Sequence, residues 1–596
     1  MLVKNPVTLP SLRKPLGIAS SVSPTEATLP VPVPAPPMSS HSSSPRLYSD
    51  TSSCIPHWRA AISAWSTSDP SRSAHCNRIL DHIENGIPVD PSSMPIDKHI
   101  PNTPTINANT DSVRKQLDYY LLMGAIEPCS RTDIAAVHPL HCVIKPDRKP
   151  RVVVDFSLNL NDYLTVPQMH YASSIDAAVA GSKLGCYYSK LDIKDCFYSF
   201  TIRGRDKRFL GFQFEGKFYR YCRMPMGLNT APELCELMLS VVSWQLTQRG
   251  VTHVRYCDDI LIIAPTHSEC HRMTNVTAAV LDDFGFAVAH YKTVWSVQVI
   301  EFLGVQFDST KESLSCPPHR VNDLVQLLTR ASTHGEQHTV RFILRLVGKL
   351  SFAAHVLPGA RPFFRSLIDS TRGKSKRSSL TLDVNVRADI DHWLKHLSTW
   401  NGRQRWRTTT PIVVATDASL SGWGGLVISS PVTLPPLLAV GSGTAGIWCR
   451  HHPITSSSDI GWAELYVVLF MVASIGPHAP NSTIKFLVDN QADAAIINRQ
   501  STRSASLLSL LRSIYSVATQ HNLSIIAQHI PGATNTYADA LSRHLPLPSP
   551  LAPLSFQCSC EVPPVMVPWC HPSSPHSSGV RCGVVPTRLR QSPPSL

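Results

Sequence analysis

Two adjacent aspartates, Asp258 and Asp259, stand between Val254 and an unbroken apolar run, Ile260-Leu261-Ile262-Ile263. Apolar segments on both sides of so short a polar stretch predict a β-hairpin with both carboxylates at its turn, behind Tyr256 and Cys257. Neighbouring acids in apolar surroundings repel each other and lose hydration, so they persist there only when a cation neutralises them. Upstream, Tyr188-Ser-Lys-Leu-Asp192-Ile193-Lys-Asp195-Cys-Phe197 reads as a strand running into a turn, with Asp192 at the strand's end. Asp192, Asp258 and Asp259 together could hold two divalent ions ~4 Å apart, and Ile193 is counted among the metal-holding positions. An exposed Asp-Asp turn and a helix N-cap at Asp192 are the alternatives these residues leave open.

A second acidic set lies further on. Val413-Val-Ala-Thr-Asp417-Ala-Ser-Leu-Ser-Gly-Trp423-Gly424-Gly425 reads as a strand and a Gly-rich turn into the next strand. Glu464 opens a helical run, Asp489 follows the strand-like Ile484–Val488, and Asp539 lies in Tyr537-Ala-Asp-Ala-Leu-Ser-Arg543. Four acids on separate elements converge only through tertiary folding. Their use would again be a pair of divalent ions, here activating water against a phosphodiester.

Charge narrows the partners. Lys and Arg number 55 against 42 Asp and Glu, a net charge of +13, which favours a polyanion whose phosphates release counterions on binding. A membrane surface would attract the same charge. The longest apolar run, Leu465–Ile475, falls short of the ~18 residues that span a bilayer, and no signal peptide is read at the N-terminus. Sixteen cysteines, scattered singly, suit reduced thiols inside a cell, leaving cytoplasm and nucleus open. In the tail, Cys558, Cys560, Cys570 and Cys582 near His571 and His576 match no common zinc spacing.

Pro- and Ser-rich sequence fills residues 1–100, where Val31–Pro37 reads VPVPAPP, and residues 546–596. Both are expected to be largely disordered, with a short helix around Trp58–Trp65 the exception allowed. Val113, Leu117, Tyr120, Leu121 and Met123 fall at helical spacing before Gly124. Strand-like and helical segments alternate to Asp308, a helical pattern follows over 320–400, and strands resume at Pro411.

Residues ~115–308 resemble the fingers and palm of reverse transcriptases, with the motifs in that family's order. Gly124-Ala-Ile-Glu-Pro128 resembles the entry to the fingers, and Lys145-Pro-Asp-Arg-Lys-Pro-Arg151-Val-Val-Val-Asp155-Phe156 the strand pair that cradles the incoming triphosphate. The resemblance implies that Arg151 and Lys145 contact phosphates, which suits a guanidinium fork and a point charge. Arg223-Met-Pro225-Met226-Gly227-Leu-Asn-Thr-Ala-Pro232 looks like the motif flooring template and nucleotide. The family often has Gln or Phe where Met226 stands, so any polar contact from a Gln is absent. Phe197 stands where the family excludes a 2′-hydroxyl and so selects dNTPs; a core Phe is its rival reading. Lys292 resembles the palm lysine near the triphosphate, and Glu301-Phe-Leu-Gly304 the hairpin that grips the primer end.

Residues ~411–544 resemble RNase H, with Asp417, Glu464, Asp489 and Asp539 as its acids, and His529-Ile-Pro-Gly532…Ala-Asp539-Ala-Leu-Ser-Arg543 is especially like retrotransposon enzymes. Many RNases H carry a loop His before the last Asp. Here Ala533 and Thr534-Asn-Thr536 occupy that loop, His529 is read as structural, and slow turnover is expected. Leu346-Val-Gly348 through Pro358-Gly-Ala-Arg361-Pro362-Phe363 is similar to the tyrosine-recombinase retrotransposons (the DIRS, Ngaro and VIPER groups, the last favoured) and less so to the gypsy type. Its basic residues Lys349, Arg361, Arg365, Lys374, Lys376 and Arg377 could track a hybrid backbone.

The resemblance implies a multidomain α+β and α/β chain. Fingers and palm would occupy 101–308, a helical thumb or connection 309–408, and an RNase H-like mixed sheet with helices 409–545, between tails at 1–100 and 546–596. The implied activities are RNA-directed DNA polymerase and RNA–DNA hybrid ribonuclease, with two Mg2+ or Mn2+ per active site. Implied partners are RNA template, DNA primer, RNA–DNA hybrid and dNTPs, with no membrane and the oligomeric state open. A decayed or domesticated nucleic-acid-binding protein is the rival from another class, disfavoured because every acid of both sets is present. An RNA-templated RNA polymerase is a second, disfavoured by Phe197 and the RNase H-like segment.

Overall fold

The computed structural model describes residues 48–546, apart from 144–149, 166–173, 334–336, 406–409, 449–453 and 455–458. Lys145 and the Cys- and His-bearing tail therefore lie outside the described residues. The fold is mixed α and β throughout. Two compact units interleave in sequence: one takes the chain to Leu164 with Phe197–Gly250 and Asp283–Gly285, and the other takes the rest.

In the first unit the helix allowed around Trp58–Trp65 is present, and the described residues beyond it to 100 are ordered where disorder was expected. Helices Ile55–Ser68 and Ser73–Asn85 pack as a pair. Trp58, Ala61, Ile62, Cys76 and Ile79 supply a buried seam that the flanking Pro and Ser concealed. Trp58 Nε1 donates to the Phe284 carbonyl at 3.1 Å, and Trp65 stacks on Trp244 at 6.0 Å, so two indoles tie the pair to the unit. Tryptophan buries more apolar area than any other residue and can satisfy its lone donor at depth. Helix Thr110–Leu122 follows as its periodicity predicts, ending where Gly124 takes φ +65°. Strands Ile126–Cys129, Lys217–Tyr221 and Gly211–Phe214 form an antiparallel sheet in that order, and Leu140–Val143 pairs with Arg151–Val154.

The second unit holds a four-stranded sheet in the order His253–Tyr256, Asp259–Ala264, Tyr187–Asp192, Val294–Val297. Of the two middle strands Asp259–Ala264 is buried from Ile260 onward, while Tyr187–Asp192 buries Tyr188, Ser189 and Leu191. The hairpin Val299–Phe302/Val305–Asp308 turns at Leu303-Gly304, and helices Pro318–Ser332, Val340–Ala353 and Val384–Trp400 follow. A five-stranded sheet then runs Gly443–Ile447, Gly422–Ser429, Ile412–Ala418, Thr483–Val488, Ser524–His529. Its first three strands are antiparallel neighbours and its last three parallel ones. Helix Ile460–Ile475 packs on strand Ile412–Ala418 and on helix Ala505–Gln520. By length and composition Ile460–His478 could cross a membrane. Ala463, Leu465, Val467, Val468 and Val472 are instead buried in the core of this unit.

Candidate active sites

The first acidic centre is built on neighbouring strands. Asp192 and Asp259 are register partners, which places their Cα atoms ~5 Å apart in an antiparallel pair. Tyr256 pairs with Asp259, so Cys257 and Asp258 form the two-residue turn of the expected hairpin. Cys257 takes φ +49°, the left-handed conformation such a turn demands. The Ile193 N–H donates to the Asp258 carbonyl at 2.9 Å and fastens the turn to the strand carrying Asp192. The Ile193 side chain is fully buried, so only its backbone carbonyl could serve a metal.

Two lysines face these acids. Lys292 Nζ donates to Asp192 Oδ1 at 2.6 Å, and Lys190 Nζ reaches the Glu301 carbonyl at 3.3 Å. Burial pushes Asp259 up to about 6; Lys190 opposes the shift, while Asp258 and Asp192 reinforce it. Lys190 was missed by sequence reasoning, although its position two residues before Asp192 on one strand sets both on the same face.

The residues expected to touch the nucleotide divide between the units. Arg151, Phe197, Met226 and Gly227 belong to the first, and Lys292 belongs to the second with the acids. Arg151 is exposed at the start of its strand; Phe197 and Met226 are half-buried. Phe197 is thus not sealed in a core, as its rival reading required. Gly227 takes φ +105°, and a Cβ there would collide with the Val154 carbonyl. Asn161 clamps that turn, donating to the Gly227 carbonyl at 3.0 Å and accepting from the Asn229 N–H at 3.1 Å.

The second centre gathers four acids from separate elements. Asp417, 4 % exposed, sits on the central strand Ile412–Ala418; Asp489 ends the parallel neighbour Thr483–Val488. Glu464 projects from helix Ile460–Ile475, and Asp539 from helix Thr536–Ser542. Glycine explains how the last helix gets close: a Cβ on Gly424 would stand 2.8 Å from the Ala538 carbonyl and the Ser542 nitrogen. The helix therefore lies directly on the strand beside Asp417. Ser542 Oγ donates to Asp417 Oδ2, and Asn535 Nδ2 donates to the Thr416 carbonyl at 3.0 Å.

Burial pushes Asp417 up to about 6, a shift that Ser542 opposes and that Asp489, Asp539 and Glu464 reinforce. Glu464 is driven well above the carboxylate range by burial, by a hydrogen bond with Asp493 and by the charges of Asp493 and Asp489. Asp493, a fifth acid, stands on helix Gln491–Arg499 and was not anticipated. Its spacing of four from Asp489 was the available signal. His529, read as structural, is exposed at the end of its strand and packs into no core.

Both donor sets are oxygen-only, which suits a hard divalent cation. Among the described residues no three His, Cys, Asp or Glu side chains are already drawn into a coordination shell. At the second centre Glu464 Oε2 is buried with no hydrogen-bond partner, an acceptor whose chemistry fits a hard cation. A buried acceptor surrounded by like charges is costly unless a positive charge arrives.

Residues 147–307 match the family Reverse transcriptase (RNA-dependent DNA polymerase). That match covers about a quarter of the chain, and the curated relatives the chain resembles are retroelement Pol polyproteins. It is 22% identical over 352 residues to the "Retrovirus-related Pol polyprotein from transposon gypsy" of Drosophila melanogaster, covering 56% of this chain and 32% of the relative. It is 22% identical over 445 residues to that from transposon opus of the same fly, covering 72% and 42%. The chain thus spans less than half of these relatives' length. Among solved structures it is similar to a foamy viral protease-reverse transcriptase in complex with dsDNA, at 15% identity, TM-score 0.47, and coverage of 77% of this chain and 94% of that one.

Proposed function

We propose that the chain is the reverse transcriptase of a retrotransposon, copying RNA into DNA at the first centre and hydrolysing the RNA of the resulting hybrid at the second. The observation that carries the reading is the meeting of Asp192 with the Asp258–Asp259 turn on paired strands. Mg2+ or Mn2+, two at each centre, would lower the pKa of the attacking hydroxyl or water and polarise the phosphoryl oxygens. Asp192, Asp258, Asp259 and the Ile193 carbonyl would hold the ions at the first centre. Asp417, Glu464, Asp489 and Asp539 would hold them at the second.

The chain's own groups do the rest. Lys292 keeps the Asp192 carboxylate in one orientation, and Arg151 offers an exposed guanidinium fork to a triphosphate. Lys145 is assigned the same role by its motif. Gly227 lets a backbone turn lie close under a base or sugar, Met226 lines that floor, and Phe197 crowds the 2′ position. The net charge of +13 supplies the attraction for template, primer and hybrid. The fingers and palm, thumb and RNase H boundaries at 101–308, 309–408 and 409–545 follow from the same reading. The thumb motif Leu346–Phe363 favours the tyrosine-recombinase group. Cysteines scattered singly along the sequence favour an intracellular setting.

Primer extension on poly(rA)/oligo(dT) tests the first centre. DNA synthesis by the parent chain and its loss in Asp258→Asn are expected; synthesis that survives the substitution overturns the assignment. Digestion of a labelled RNA–DNA hybrid, with Asp417→Asn alongside, tests the second in the same way.

A further inference from the structure

Asp493 stands two residues inside helix Gln491–Arg499 and is only 2 % exposed. A carboxylate is seldom buried so deeply without a cationic partner. Its side chain is hydrogen-bonded to Glu464, another acid, and the charge of Asp489, also acidic, acts on it as well. Its Oδ2 is buried with no hydrogen-bond partner, and so is Glu464 Oε2. Asn490, at the N-cap of the same helix, uses its Oδ1 to accept from the Ala492 N–H at 2.9 Å and also bonds Glu464.

Gly461 completes the arrangement. A Cβ there would rest 3.7 Å from both Asp493 oxygens and from Asn490 Nδ2, so the first turn of the Glu464 helix lies against this carboxylate. The two helices thus hold Asp493 and Glu464 together, each with an acceptor oxygen left over. Two unspent acceptor oxygens on touching acids match the needs of a hard cation, which takes oxygen ligands and cancels like charge.

We propose that Asp493 is a fifth carboxylate of the second centre, acting with Glu464 to hold a divalent ion there. The inference rests on the two-ion reading of that centre and adds to it a residue outside the four-acid set. Asp493 would also fix Glu464 in place before the ion arrives, since the pair is already in contact.

The test uses the full chain with Asp258→Asn and Asp259→Asn, so that the first centre is silenced. Mn2+ is titrated calorimetrically, and melting is followed by circular dichroism without divalent ions. Asp493→Asn is expected to weaken Mn2+ binding roughly tenfold or more, the scale at which a supporting group at a metal site acts. The ion-free melting temperature should rise, because an amide donates to Glu464 without either acid having to hold a proton in the buried pair. Mn2+ affinity equal to the parent's in Asp493→Asn overturns the inference. If that variant melts too early to titrate, Asp493→Ser is read by the same criterion. Asp417→Asn separates the two levels. Should it too leave Mn2+ binding at full strength, the two-ion reading of the centre fails; should only the Asp493 variants do so, this inference fails alone.

Discussion

At the residue scale, burial sets the chemistry of the acids. Asp417 is held at about 6 by burial and by neighbouring carboxylates. An acid whose folded pKa is raised binds its proton more readily folded than unfolded. Its stabilising contribution is present at pH below the unfolded value of ~4 and is lost as pH climbs through about 6. Buried His138 and His392, lowered to about 4 and about 3 chiefly by burial, run the other way, so a single melting curve would mix the two effects. The difference between Asp417→Asn and the parent isolates the acid. In EDTA the variant's advantage in melting temperature should be larger at pH 8 than at pH 5; a constant or shrinking advantage contradicts the assignment. Phe197 carries a separate prediction. If Phe197 holds the proposed role, its replacement by Val removes the bulk opposing a 2′-hydroxyl, and ribonucleotide incorporation should rise by about tenfold or more, the scale of a ~1–3 kcal/mol pocket contact. Unchanged sugar discrimination in single-nucleotide extension counts against that role.

At the element scale, the Gly424 strand and the Asp539 helix depend on each other. Gly424→Val would drive a branched side chain into the Ala538 carbonyl and lift helix Thr536–Ser542 from the sheet. A displacement of ~1 Å at a catalytic group can cost ~100-fold in rate. Hybrid cleavage should fall on that order while primer extension continues; equal loss of both would point to general unfolding instead. The elements bearing acids were legible in the sequence because each acid sits in a short local pattern: apolar strand then acid, or acid between turn residues. What escaped depends on distance. Of the N-terminal helix pair only the stretch around Trp58–Trp65 was legible as a helix; its packing was hidden because Trp58 and Trp65 have their partners at Phe284 and Trp244, far along the chain. Asp493 was hidden because its meaning comes from Glu464, on a helix of its own. Lys190 reads as an ordinary strand lysine until the Glu301 carbonyl is found beside it.

At the scale of the whole molecule, the second unit is held together by more than its apolar core. Arg512, on helix Ala505–Gln520 beside the five-stranded sheet, is buried against Asp389 on helix Val384–Trp400. Its Nε donates to the Pro362 carbonyl at 3.1 Å and its Nη2 to Ser366 Oγ at 3.1 Å, while Asp389 Oδ2 accepts from the Ser366 N–H at 2.9 Å. The helical segment and the sheet-bearing segment are thereby joined by an ion pair whose hydrogen-bonding capacity is largely used. Burial raises Asp389 to about 6 despite Arg512, and burial likewise lowers Arg512, so both partners register a desolvation cost that their attraction does not fully offset. A pair in that balance costs little to replace as a unit but much to break. Asp389→Ala, which strands a buried guanidinium, should lower stability by about 3–5 kcal/mol in urea unfolding. Asp389→Leu combined with Arg512→Met should recover most of that loss. A double variant no more stable than Asp389→Ala would show that the joint depends on the charges themselves rather than on filling their space.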